Sequence, residues 1–241
     1  KIVSYETTPL QGLWNRGTLF VADDDDIAGS FTDYSDELYH SLSEPFHGDR
    51  IYLASNPGHP HEYGTSDPSE LEAARVAIRE RFASGQLLIS YMGHSSHSQW
   101  AHEILLHRDN VPDLHSGGNL PVVLSMTCYT AAFQFPSYAP LDERLVVEPN
   151  GGAVAVWGAT GSAVATGHRH LAQGFLGAVQ SHDQASLGAA VYSGYLRLYN
   201  QAQTNRDLID TYVLLGDPAM RVNRFTGTVH YTYVPLASDG Q

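Results

Sequence analysis

The sequence has one cysteine, Cys128, and one lysine, Lys1, in 241 residues. A lone cysteine excludes an intrachain disulfide framework and a Cys-built zinc site. All other side-chain cations are arginine, and Asp plus Glu outnumber Lys plus Arg by 26 to 13, for a net charge of −13. With no basic run to offset it, this surface repels phosphate backbones, so nucleic acid is not an expected partner. No apolar run approaches the ~20 residues of a membrane span. The chain opens at Lys1-Ile-Val-Ser with neither Met nor an apolar leader. It therefore reads as a processed product or an excised fragment of a longer parent with flanking domains. Also missing are a Gly-x-Ser-x-Gly elbow, a P-loop, a dinucleotide fingerprint and a His-Glu-x-x-His helix, so serine hydrolases, nucleotide enzymes and zincins have no footing.

What is present is core material. Hydrophobic residues make up 42% and charged residues 16%, which excludes a disordered or coiled-coil chain and allows one large domain or two small ones. Residues 1–16 read as a lead-in segment. Short apolar runs at Thr18–Ala22, Arg50–Ala54, Leu87–Met92, Pro121–Thr127 and Ala153–Trp157 read as strands. Helical patterns fall at Phe31–Leu42, 168–180 and 186–200. The clearest helix has Asp67 as cap, Pro68 at its first position, Glu70 three residues after the cap, a stripe of Leu71, Ala74, Ile78 and Phe82, and a stop at Gly85. Continuously apolar strands separated by helices predict a parallel sheet covered on both faces, an α/β/α sandwich with ligands at the strands' C-terminal ends.

Two strand ends carry chemistry. Leu87–Met92 runs into Gly93-His94-Ser95, and Pro121–Thr127 runs into Cys128. If these strands are neighbours, His94 and Cys128 emerge side by side, as a thiol nucleophile and its imidazole require. The alternative, Cys128 as a small buried hydrophobe and His94 as a loop residue, is not decided by periodicity. Thirteen histidines invite a metal reading, and His59/His61 and His168/His170 each put two imidazoles on one side of an extended segment. No zinc-ligand spacing supports it. The run Asp23–Asp26 is either a solvated acidic loop or a site for calcium, which wants several oxygens.

Further, Tyr91-Met-Gly-His-Ser-Ser-His-Ser-Gln-Trp100 resembles the pattern around the catalytic histidine of the gingipain family, Tyr-x-Gly-His-Gly-Ser with a Trp six residues after the His. Asn119–Cys128 is similar to that family's cysteine strand, and the separation of 34 residues (128 − 94) is close to the family's. Gly12-x-Trp14 through Val21-Ala22, and Asp210-Thr-Tyr-Val-Leu-Leu-Gly-Asp-Pro218, match as well. The resemblance implies a caspase-like α/β/α fold over residues 17–223 and cysteine endopeptidase chemistry on protein or peptide substrates, secreted or at the cell surface. It makes Cys128 the nucleophile and His94 the catalytic imidazole. Asp25, or next Asp24, orients His94, and the backbone N–H groups of Ser95 and Cys128 form the oxyanion hole. Trp100 and Asp36 are placed against the substrate. No cofactor is required for the chemistry; a structural calcium is implied without its ligands being located, and Asp23 and Asp26 of the acidic run are the candidates for it.

The sequence departs from the family at Ser95, where glycine is usual. The pocket Trp of characterised gingipains has no counterpart in Ala159–Gly167, so their Arg or Lys specificity is not carried over. The family's first subdomain is expected to be missing. Two alternatives accompany the endopeptidase: a transpeptidase using the same dyad in surface-protein attachment, and a catalytically idle binding or scaffold domain. The domain is expected to end near Asn223, leaving 224–241 as an extension whose alternating Thr228–Val234 run is a linker or the first strand of a following domain.

Overall fold

Apolar strands need cover on both faces, and the chain supplies it by alternating strands with helices. The computed structural model describes residues 1–8, 12–181 and 186–224. The extension expected after Asn223, with its Thr228–Val234 run, lies outside the described residues apart from Arg224. The chain begins with α1 (Ile2–Thr7), a 3-10 turn at Leu13–Arg16, β1 (Gly17–Ala22), α2 (Phe31–His40), β2 (His47–Ala54) and β3 (Glu62–Gly64). Then come α3 (Pro68–Ser84), β4 (Leu88–Met92), a small hairpin of β5 (Gln99–Trp100) and β6 (Leu106–His107), β7 (Val122–Met126) and α4 (Leu141–Val147). The last part holds β8 (Ala155–Ala159), α5 (Ala165–Gln180), α6 (Leu187–Gln201), α7 (Leu208–Thr211) and β9 (Tyr212–Leu215).

Seven strands form one sheet in the order β3-β2-β1-β4-β7-β8-β9. All neighbours are parallel except β9, which runs antiparallel to β8 at the edge. Alternate residues feed two cores. Phe20, Met92, Leu124 and Trp157 join the side chains of α5 and α6 on one face, while Leu19, Ile89, Val123 and Val156 join those of α3 and α4 on the other. This is the three-layer caspase-like sandwich. The α3 boundaries follow their sequence signals: Asp67 Oδ1 accepts from Ser69 N at 2.8 Å, and Gly85 ends the helix with φ +83°.

Register brings the strand ends level. Ala22 lies opposite Met92, and Met92 opposite Met126. Two residues past Met92 and Met126 stand His94 and Cys128, and the Asp run begins one residue past Ala22. Three sequence-distant segments thus leave the same edge of the sheet. The reading of His168–His170 as an extended pair is corrected: both lie on α5, where residues two apart point about 200° from each other. His168 is buried, and its imidazole is lowered by that burial to about 3.

Candidate active site

The histidine loop is held from three sides. Asp23, at 2% exposure, accepts from His94 N at 2.9 Å through Oδ2. Burial pushes its carboxyl up to about 7, against the pull of that hydrogen bond. The chain can pass so close to Asp23 only because residue 93 is glycine: a Cβ there would sit 2.3 Å from Asp23 Cβ. From below, the buried Tyr91 hydroxyl donates to His94 O and accepts from Ala101 N at 2.8 Å. Tyr91 also stacks on Trp100 with ring centroids 4.7 Å apart. The imidazole is half-exposed, edge-on to Phe31 at 5.1 Å, with Nε2 at 3.0 Å from Asp26 Oδ2. That carboxylate is held below its ordinary range, first by His94 and then by the Ala28 N–H. An acceptor at Nε2 keeps the proton there and leaves Nδ1 as the basic nitrogen.

The carboxylate that meets the His94 imidazole is Asp26, while Asp25 and Asp24, expected in that place, are engaged elsewhere. Asp25 accepts from Thr32 N at 2.9 Å and from its hydroxyl at 3.0 Å, binding the first turn of α2. Asp24 accepts from Ser55 Oγ at 2.9 Å. Trp100 is fully buried under Tyr91, so it supports the histidine loop and does not face a substrate. Asp36 lies on α2, its carboxylate taken up by Arg50 at 3.0 Å and the Tyr52 hydroxyl at 2.9 Å. It braces helix to strand.

Cys128 leaves β7 half-buried, with Sγ accepting from Ala163 N at 3.3 Å. The next residue, Tyr129, takes a left-handed φ of 57° and donates its N–H to Gly161 O at 3.0 Å. The cysteine turn is thereby zipped to the loop after β8. Ser95 does not have a positive φ, so its Cβ carries no left-handed penalty. Its hydroxyl donates to Cys128 O and lies 2.7 Å from Thr127 Oγ1, which donates to Gly93 O at 2.6 Å. These bonds staple the histidine loop to the cysteine strand. Ser95 also forms an antiparallel bridge with Trp100 in which Ser96 N and Ala101 N make the bonds, so its own N–H turns away from that partner. Among the described residues, neither the Ser95 nor the Cys128 backbone N–H donates to a protein acceptor. Two donors beside a thiol are what an oxyanion needs.

Beneath the nucleophile lies a group that sequence reading missed. Asp142 of α4 is fully buried, accepting from Ser125 Oγ and Thr130 Oγ1, each at 2.8 Å, and burial pushes it up to about 7. The Tyr212 hydroxyl lies 3.3 Å from both Ser125 O and Thr127 O. An acid inside the apolar-flanked Pro140–Val147 stretch is the sole sequence hint.

Of the residues expected to ligate calcium, Asp26 stands apart on His94. The carboxylates that converge are Asp23, Asp24 and Glu103, with oxygens within 4.8 Å of one another. Three hard oxygens of like charge, one of them on an aspartate whose carboxyl burial holds at about 7, suit such a cation chemically. Among the described residues no helix is long and apolar enough to cross a membrane.

Known proteins share this fold. The model of peptidase family C25 matches residues 1–223. The crystal structure of the Arg-specific cysteine proteinase gingipain R is similar with a TM-score of 0.72 at 18% identity, over 92% of this chain and 51% of that one. The complex of the pro- and mature domains of RgpB from Porphyromonas gingivalis gives 0.71 at 17%, over 92% and 52%. A further protease structure gives 0.71 at 16%, over 100% and 56%. The chain thus spans about half the length of the solved structures it matches. No curated protein matches the sequence.

Proposed function

The chain belongs to peptidase family C25, and on that premise we propose that it is a cysteine endopeptidase working through an acyl-enzyme on Cys128. The observation that carries this reading is that Cys128 and His94 end adjacent parallel strands at the same height, with Asp26 on one imidazole nitrogen and two backbone N–H groups free beside the thiol. Nδ1 of His94 takes the thiol proton as Cys128 Sγ attacks the scissile carbonyl. The Ser95 and Cys128 N–H groups hold the oxyanion, and the imidazolium, stabilised by Asp26, passes its proton to the leaving amine. Water then repeats the sequence on the acyl-enzyme, with His94 as its base. Where calcium binds, Asp23, Asp24 and Glu103 would hold it as a structural ion beside the histidine loop. The family resemblance supports protein substrates met outside the cell.

The test is cleavage of a diverse peptide library by the wild type, Cys128→Ala and His94→Ala. Cleavage by the wild type alone supports the reading. Equal cleavage by Cys128→Ala removes the thiol from the mechanism, and no cleavage by any of them favours a scaffold. An added amine recovered on the acyl fragment would mark transpeptidation.

A further inference from the structure

Between Tyr129 and Tyr138, the segment that follows the nucleophile carries four aromatic side chains: Tyr129, Phe133, Phe135 and Tyr138. Tyr129, Phe133 and Phe135 are 36%, 54% and 40% exposed. They do not simply point into solvent. His97, three residues past His94, gathers three of the rings, with centroid distances of 5.2 Å to Tyr129, 4.9 Å to Phe135 and 5.8 Å to Tyr138. Phe135 and Tyr138 lie parallel, 6.1 Å apart. Behind them, the guanidinium of Arg108 sits 5.0 Å from the Tyr138 centroid and donates to Ala139 O.

We propose that this platform is a substrate subsite that takes an aromatic or large aliphatic side chain flanking the scissile bond. The inference rests on the endopeptidase reading and adds the class of side chain recognised. The occupant follows from position. The platform is built by the two loops that carry Cys128 and His94, and Tyr129 directly follows the nucleophile, fixed by its bond to Gly161 O. A peptide laid across Cys128 places a neighbouring side chain over these rings. Contiguous exposed apolar surface gains most from burying a ring or a branched alkyl group.

The experiment maps cleavage sites in a peptide library by mass spectrometry, then measures kcat/KM for matched peptides carrying Phe or Ser at the selected position. The wild type is expected to prefer Phe over Ser by about tenfold or more. In Phe133→Ser/Phe135→Ser the ratio should fall towards one, and Phe133→Leu/Phe135→Leu should restore most of it. Cleavage with no apolar preference near the scissile bond, or a preference untouched by the serine variant, overturns the subsite and leaves the endopeptidase standing. A library uncut by wild type and Cys128→Ala alike overturns both.

Discussion

Replacing Asp26 by Asn keeps an acceptor for Nε2 of His94 but removes the negative charge that favours the imidazolium. kcat/KM for Asp26→Asn is expected to drop about tenfold or more, with the fold and melting temperature little changed, since both side chains are half-exposed. Asp25→Ala should do the reverse. Losing the cap on Thr32 costs about 1 kcal/mol of stability, read as a lower melting temperature, while the imidazole keeps its partner. Large losses of activity from Asp25→Ala, with none from Asp26→Asn, would return the orienting role to Asp25. The sequence could not separate the two. Four adjacent carboxylates are alike until the turn that bridges Asp26 to Gly29 aims one of them at the ring. Ser95 is a second case of chemistry hidden in a side chain. The motif implies a role for its backbone N–H but gives no sign of the staple through its hydroxyl to Cys128 O. Ser95→Gly should retain both N–H donors yet lose that hydrogen bond, at about 1 kcal/mol. A reduced kcat with unchanged alkylation of Cys128 would separate positioning from nucleophilicity.

Helix α4 and the crossing of α5 over α6 carry the predictions at the level of elements. A neutral Asp142 suits its buried site, and its folded value of about 7 lies above the ordinary 3.8. Between those values the folded state holds a proton that the unfolded state has released, so this group makes stability fall as pH rises from about 4 to about 7. Asp142→Asn keeps partners for Ser125 and Thr130 but cannot ionise. Its stability relative to wild type, from denaturant melts, should improve by on the order of 1 kcal/mol per pH unit between pH 5 and 7. A parallel pH dependence in both proteins would show that Asp142 does not titrate there. At the helix crossing, a Cβ on Gly194 would lie 2.4 Å from the Trp157 ring. Gly194→Ala should therefore displace Trp157 from its stack on Phe175 and destabilise by about 1–3 kcal/mol. The strands at the sheet centre and α3 were legible because their apolar runs and caps are local signals. The hairpin of β5 and β6, with two residues in each strand, carries no period to read. α4 shows only seven residues, with its acid turned inward, and so breaks the amphipathic rule that would have revealed it.

Across the whole molecule, the fold turns sequence separation into proximity. His94 and Cys128, 34 residues apart (128 − 94), leave neighbouring strand ends because β4 and β7 pair in parallel register. That much the motifs foretold. The aromatic platform was not foretold, since His97, Phe135 and Tyr138 belong to two loops with no shared pattern until they fold together. The composition also provides its own probe. Cys128 is the single cysteine, so every thiol measurement on the intact chain reports one site. The most direct test of the account is the rate of iodoacetamide alkylation at pH 6, followed by intact mass, for wild type and His94→Ala. The account predicts that Cys128 reacts faster than a free thiol and that His94→Ala abolishes the advantage. A wild-type rate equal to that of a free thiol, unchanged by His94→Ala, would contradict it.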